Sequence, residues 1–298
     1  MELVVQKYGG SSLSSVEKIQ KVARKIAARV DQGPKLVVVV SAMGSTTDRL
    51  EELAHEISSE PKPREMDMLV TTGEQISASL VAMALKEFQI KAISLNAFQA
   101  EINTNSIHTD ANIENINAEK LKKYLNGNDV LIVTGFQGVS EEGNITTLGR
   151  GGSDTSAVAL AGALNASCEI YSDFPGIFTT DPRIYPEARK LNQVSYDEIL
   201  EMARLGANVL HPRAVAIAKK YEIPLVCAGT FSDEDGTLIS SEPIEEAVVT
   251  GLSVMENQTQ VTISNLPPDH KVINKMFRYL GDKQLNIDMI SIINIADS

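Results

Sequence analysis

The sequence predicts an α/β protein, a three-layer αβα sandwich with a mostly parallel central sheet, followed by a smaller βαβ-containing segment. Three observations predict it. Short apolar runs alternate with stretches of helical periodicity along most of the chain. Two of those runs, KLVVVVS at 35–41 and DVLIVT at 129–134, are apolar almost throughout, as strands covered on both faces are. Strand–helix–strand order with such strands calls for a sheet with helices on both sides.

Taken in order, Leu3–Gln6 is the first strand. Ser14–Val30 is a helix, with Val16, Ile19, Val22, Ala23, Ile26 and Val30 on one face. Lys35–Ser41 is a strand and Asp48–Ile57 a helix. A helical region from Arg64 to Phe88 carries a break at Gly73. Ala92–Leu95 is a strand, Ala118–Leu125 a helix, Asp129–Thr134 a strand. Ser153–Leu164 is a helix and Cys168–Ser172 a strand. Helices Tyr196–Leu205 and Pro212–Tyr221 precede a last strand, Pro224–Cys227. The acidic, polar stretch SDEDGTLISSEPIEE then reads as a linker. Beyond it, Val248–Val254, Gln260–Ser264 and Asn286–Ile295 read as strands. His270–Lys283 reads as a helix with Val272, Ile273, Met276, Phe277 and Leu280 on one side. The expected division is 1–235 as the main domain, 236–246 as linker and 247–298 as a second unit, short for an independent core.

Composition narrows the function. The 298 residues suffice for one large core plus a smaller module, and 43% hydrophobic content fits an ordered protein. A formal net charge of −12 argues against a nucleic-acid or anionic-membrane partner and fits a cytoplasmic protein. No stretch is expected to reach the length of a membrane span, and MELVVQKYGG lacks the pattern of a signal peptide. Cys168 and Cys227 sit in apolar runs and read as buried free thiols. His55, His108, His211 and His270 are scattered without metal-ligand spacing and read as structural or solvated.

The chemistry concentrates in loops that follow strands. In Lys7-Tyr8-Gly9-Gly10-Ser11-Ser12, paired glycines let backbone N–H groups approach a phosphate, the next helix adds a positive dipole end, and Lys7 supplies a full charge. A tight turn with a surface lysine is the alternative. Gly149-Arg150-Gly151-Gly152-Ser153-Asp154 places three glycines in four positions before a helix, an anion-binding nest. Ser153 or Asp154 as a mere N-cap would explain one residue, not the glycines and Arg150. The long loop from Ser172 and Asp173 through Phe178 to Arg183 follows a strand, a common place for a nucleotide. A plain surface loop with Phe178 in the core is the alternative. Ser41 to Asp48 and Thr71 to Gln75 could hold a small polar substrate; a helix cap at Thr47 or Asp48 and a solvated Glu74 are the alternatives. No GxxxxGK[ST], protein-kinase signature set or GxGxxG after the first strand is present. The chain has phosphate-cradling machinery without a visible general base.

KYGGSSL at 7–13, VVVVSAMG at 37–44, the GE pair at 73–74, TLGRGGSDTSA at 147–157, TTDPR at 179–183 and LHPRAV at 210–215 together resemble the aspartate kinases of the amino-acid kinase superfamily. The likeness runs through the whole chain and is nearest to the short, monofunctional bacterial type. It implies the amino-acid kinase fold and ATP-dependent phosphorylation of the aspartate side-chain carboxylate, the first step toward lysine, threonine and methionine. By the same resemblance, Lys7 contacts the transferring phosphate, with Gly9, Gly10 and Ser11 as donors and Asp154 holding Lys7. Ser41, Thr47, Glu74 and Arg150 bind aspartate. Ser172, Asp173, Phe178 and Arg183 line the ATP site, with Gly151, Gly152 and Ser153 near the phosphates and Mg²⁺ carried by ATP. Three departures stand out: Phe178 where relatives often have Tyr, Asn208 where many have a nucleotide-contacting lysine, and Tyr8 and Leu13 in place of Phe and Val.

The tail from Val248 resembles the start of an ACT regulatory region. The resemblance implies a C-terminal truncation within that region, a homo-oligomer, and a lysine or threonine effector where the region is complete. Asn286–Ile295 could pair with another subunit. Other readings compatible with the residues are a sister kinase acting on glutamate, acetylglutamate or a nucleotide, and a non-catalytic amino-acid sensor. The physics suits aspartate. A carboxylate is ionised near neutral pH and needs no base. Its difficulty is repulsion from a polyanionic phosphate, so catalysis reduces to positioning and charge neutralisation.

Overall fold

The computed structural model describes residues 2–207, 209–241, 250–254, 259, 261–263 and 270–282. Among these, Met1–Met255 forms one compact unit and Glu256–Ser298 a second.

The first unit begins with β1 (Leu3–Tyr8), a 3₁₀ turn at Gly10–Leu13, α1 (Val16–Val30), β2 (Lys35–Val40), α2 (Thr46–Ile57), α3 (Pro63–Val70), α4 (Thr72–Lys86) and β3 (Ala92–Leu95). Then come α5 (Ala97–Ala100), β4 (Ile102–Thr104), β5 (Ile113–Ile116), α6 (Ala118–Gly127), β6 (Val130–Thr134), β7 (Gln137–Val139) and β8 (Ile145–Thr147). The unit closes with α7 (Gly152–Leu164), β9 (Ser167–Ser172), β10 (Gln193–Ser195), α8 (Tyr196–Arg204), α9 (Pro212–Lys220), β11 (Leu225–Gly229) and β12 (Thr237–Ser240).

Eight strands form the main sheet in the order β10-β12-β11-β9-β1-β2-β6-β3, parallel except for the β11–β12 pair. β1 sits centrally, with β2 on one side and β9 on the other, so the chain leaves it in both directions. That switch point opens a crevice at the carboxyl ends of the strands.

Strand alternation divides the core between the two faces of the sheet. Val5, Val37, Val39, Leu131, Val133, Cys168 and Ile170 share one cluster with α7 and α9. Val4, Leu36, Val38, Val40, Val130 and Ile132 share the other with α1 and α4. Both faces are therefore covered, which is why β2 reads KLVVVV without a polar position after Lys35. The same alternation places Lys7, two residues beyond Val5, on the α7 side at the end of β1. Gln6 and Tyr8 fall on the α1 side, where Tyr8 stacks on Tyr171 with centroids 4.9 Å apart and its hydroxyl donates to Gln6 Oε1. The tyrosine that replaces Phe in the first motif thus has a partner for its extra oxygen.

Several boundaries differ from the sequence reading. The break between α3 and α4 falls at Thr71, not Gly73; both the hydroxyl and the N–H of Thr71 donate to Asp67 O, at 2.8 and 3.3 Å. Val16 is exposed, because α1 starts there after its cap, Ser15, which accepts from Lys18 N. A small second sheet, β5-β4-β7-β8, was not expected. Residues 237–240, read as linker, form β12, which pairs with β11 and β10. Pro63–Lys86 is long and apolar enough to cross a membrane by length and composition, against expectation. In the fold it is two helices that bury Asp67, Glu74, Val70 and Val81 against the rest of the unit. Cys168 and Cys227 are buried free thiols, and burial pushes both well up.

In the second unit, helix α10 (His270–Asp282) agrees with the sequence reading. Ile273, Met276, Phe277 and Leu280 are half-buried, while Val272 is exposed. Residues 250–254 and 261–263, expected to belong to strands, form none: these segments carry no regular structure where they are described. The rest of both expected strands, the strand read at Asn286–Ile295 and Asn208 lie outside the described residues.

Candidate active site

Two cavities flank the turn at Gly9–Ser12. One, of about 240 Å³, is lined by Lys7, Gly10, Ser41, Thr47, Glu74, Arg150, Gly151, Gly152, Ser153 and Asp154, together with Phe136. The other, of about 250 Å³, is lined by Ser11, Ser172, Asp173, Phe178 and Arg183 among others. Gly9 lines neither; a Cβ there would stand 3.4 Å from Lys7 Nζ, so the turn passes directly beneath the ammonium. Most of the residues expected around the acceptor and the phosphates therefore meet in one cavity, while Ser11 lines the neighbouring cavity together with the residues expected around the nucleotide.

Lys7 is not a surface lysine. Its Nζ lies 2.7 Å from Asp154 Oδ1, and the two side chains are only 13% and 14% exposed. Asp154 reaches it from the first turn of α7, whose N-cap is Gly151; neither Ser153 nor Asp154 serves as the cap. The nest before α7 is built by left-handed backbone at Gly149 (φ 74°) and Gly151 (φ 68°). A Cβ on Gly151 would lie 2.3 Å from His211 Cγ. Gly151→Ala is expected to lower kcat/KM about a hundredfold by shifting the nest, the scale of an ångström-sized misplacement. Circular dichroism should remain near wild type; unchanged kinetics would count against the nest.

The first turn closes on the loop after β2. Gly44 N donates to Gly10 O at 2.9 Å, and a Cβ on Gly10 would stand 2.7 Å from Ala42 O. On that loop Ala42 N donates to Glu74 Oε1 at 3.1 Å. Glu74 is only 3% exposed, contrary to the solvated alternative, and its buried Oε2 has no hydrogen-bond partner among the described residues. Burial pushes its carboxyl up to about 7, opposed by the backbone donors of Glu74 and Ala42. Arg150 has no ion-pair partner among the described residues. An unpaired guanidinium and an orphaned carboxylate in one cavity suit the carboxylate and ammonium of an amino acid.

The raised Glu74 pKa makes a stability prediction. Folding favours the protonated form, so the contribution is complete below the ordinary value of 4.5 and is lost as pH rises through about 7. The loss amounts to about 3 kcal/mol. Thermal melts of the ligand-free protein should therefore fall from about pH 5 to about pH 8. Glu74→Gln should flatten that fall, and aspartate should stabilise the wild type more than the variant. The same pH slope in both proteins would contradict the assignment.

The larger cavity has apolar walls from Met202, Val209 and Leu252. Phe178 is half-buried on its wall and outside both core clusters. Arg183 folds back on its own loop, 2.6 Å from Asp181 and over the Phe174 ring at 5.4 Å. Leu252 N donates to Thr179 O at 2.7 Å, which brings a late segment of the unit to this wall.

The sequence reading missed three contributors. Phe136 follows the buried strand β6 with left-handed backbone (φ 69°), its N–H donating to Ser156 Oγ at 3.0 Å. Its ring packs on Gly152, where a Cβ would come within 2.8 Å. His211 was set aside as structural or solvated; it lies against Gly151, with Nδ1 buried and unpartnered among the described residues and burial pulling its pKa down. Arg213 donates to Leu148 O at 3.0 Å and Ala111 O at 2.6 Å, bracing the strand end before the nest. Both belong to LHPRAV, the motif that offered the signal.

Two backbone cradles meeting a lysine–aspartate pair at the carboxyl edge of a parallel sheet define a phosphate-transferring enzyme of the kinase class. Residues 2–229 match the amino acid kinase family. The chain is 48% identical to an aspartokinase of Geobacillus stearothermophilus and 50% identical to aspartokinase 2 of Bacillus subtilis, over 97% of its own length and 72% of each relative's. Its fold is similar to aspartate kinase from Synechocystis (TM-score 0.72, 51% identity, 82% of this chain and 41% of that one). It is also similar to Escherichia coli aspartokinase III in complex with aspartate and ADP (TM-score 0.80, 25% identity, 98% and 77%). The latter has been solved with lysine and aspartate as well. This chain belongs to the amino acid kinase family, and within it to the aspartokinases.

Proposed function

We propose that the chain transfers the γ-phosphoryl group of ATP to the side-chain carboxylate of L-aspartate, giving 4-phospho-L-aspartate and ADP. The observation that carries this reading is the Lys7–Asp154 pair in the same cavity as Arg150 and the orphaned Glu74 oxygen. In this reading Arg150 grips the α-carboxylate and Glu74 the α-ammonium, leaving the side-chain carboxylate to face Lys7. A carboxylate oxygen attacks the γ-phosphorus, and the bond from that phosphorus to the β–γ bridging oxygen breaks. No proton is removed from the acceptor, so no base is required. Lys7 and the N–H groups of the two cradles take up the charge shared between the anions. The nucleotide enters as its Mg²⁺ complex, which lowers the charge those groups meet.

Ser172, Asp173, Phe178 and Arg183 form the nucleotide side in this proposal, with Ser41 and Thr47 completing the acceptor side. The reaction belongs in the cytoplasm, where ATP and free amino acids are available. Lysine is the first effector to test, then threonine. A coupled ADP-release assay across aspartate, glutamate, acetylglutamate and a nucleoside monophosphate tests the reading. Turnover with aspartate alone is the expected result; preference for another acceptor, or none, overturns it.

A further inference from the structure

The groups assigned to the acceptor arrive from two separate parts of the chain. Glu74 lies in the first turn of α4, and Arg150 follows β8. A buried carboxylate that the proposed reaction does not use lies between these parts. Asp67, on α3, is fully buried. Its Oδ1 accepts from the Thr147 hydroxyl at 2.7 Å, at the last residue of β8. Both oxygens accept from Thr109 N at 3.2 Å, and Oδ2 lies 2.6 Å from His108 Nδ1.

These contacts lead to the Arg150 turn along a short path. Ala111 N donates to Thr147 O at 2.8 Å, so the loop that holds Asp67 is also joined to β8. The same loop presses on the nest: a Cβ on Gly149 would stand 3.0 Å from Thr109 O. The path to Glu74 is as short. Thr71 donates its hydroxyl to Asp67 O at 2.8 Å, Gln137 Nε2 donates to Thr71 O at 3.1 Å, and α4 begins at Thr72.

A buried carboxylate is costly, and an apolar side chain of similar size would join helix to sheet at less cost. What the carboxylate adds is direction: two oxygens fix donors from β8 and from the 108–109 loop against one helix turn. We propose that Asp67 is a positioning residue that holds the Arg150 turn in register with the α3–α4 segment carrying Glu74, and so sets affinity for the amino-acid acceptor. This rests on the reading in which Arg150 and Glu74 grip that acceptor.

The test is steady-state kinetics of the full chain carrying Asp67→Asn, Thr147→Val or Arg150→Lys, and of the Asp67→Asn/Arg150→Lys double variant. Thr147→Val removes one hydrogen bond from Asp67 and keeps the volume, so it serves if Asp67→Asn folds poorly. Each of these two is expected to raise the aspartate KM about tenfold, the effect of one buried hydrogen bond to a charge, with kcat and the ATP KM within about twofold. The double variant should raise the aspartate KM by less than the product of the single effects, because one residue acts through the other. Aspartate and ATP KM values rising together, a fully multiplicative double variant, or unchanged aspartate KM with only a lower melting temperature would overturn the proposal. If Arg150→Lys raises the aspartate KM while both Asp67→Asn and Thr147→Val leave it alone, positioning fails and the site reading stands. An unchanged aspartate KM in Arg150→Lys removes the reading itself, and the proposal with it.

Discussion

Replacing Lys7 with alanine is expected to lower kcat on the order of a thousandfold while the protein stays folded. The size follows from what the site must do. Acceptor and donor are both anions, and their approach is opposed until fixed positive charge lies between them. Lys7 is placed for that by strand alternation and held by Asp154 at 2.7 Å, so its ammonium is oriented before substrate arrives. An ordered charge costs no reorganisation at the transition state. Its removal should therefore fall on kcat more than on either KM. The change also leaves Asp154 without its partner, at a cost on the order of 1–3 kcal/mol. A thermal melt run beside the kinetics separates that loss from catalysis. ATP-dependent turnover at the wild-type rate in Lys7→Ala would falsify the role.

Arg150→Lys is expected to raise the aspartate KM by about one to two orders of magnitude and the ATP KM by less than about twofold. A guanidinium meets a carboxylate with two parallel donors, and lysine offers a point charge that does not reproduce that geometry. Arg150 stands on the glycine nest with no ion pair of its own among the described residues, so its charge is available to an incoming ligand. Separate saturation curves for the two substrates give the answer. Equal rises for both would place Arg150 on the shared phosphate instead of the acceptor.

Much of this site is legible in the sequence, for a physical reason. Backbone cradles need glycine, and glycine in a fixed order after apolar strands is visible in one dimension. Long buried strands are visible too, because β2 and β6 have almost no polar position to confuse the pattern. The second sheet was not legible: QGV, ITT and IENI are three or four residues long and partly polar, below what periodicity can separate from loop. β12 was hidden likewise, since TLIS sits inside an acidic, polar stretch and alternates over only four residues. The break at Thr71 was misread because Gly73 is the stronger breaker in sequence, whereas Gly73 lies within the first turn of α4. The burial of Glu74 depends on where α4 meets the loop after β2, which no local pattern reports. Asp67 escaped notice for the same reason: its partners lie about 40 and 80 residues away.

The central claim is that the two cradles let Lys7 join two anions in one crevice. A crystal structure of the protein with a non-hydrolysable ATP analogue, Mg²⁺ and aspartate tests it most directly. The expected result has Lys7 Nζ within hydrogen-bonding distance of a γ-phosphate oxygen. The aspartate side-chain carboxylate should face that phosphorus, and the α-carboxylate should rest on Arg150. A γ-phosphate out of reach of Lys7, or aspartate bound away from Glu74 and Arg150, would contradict it.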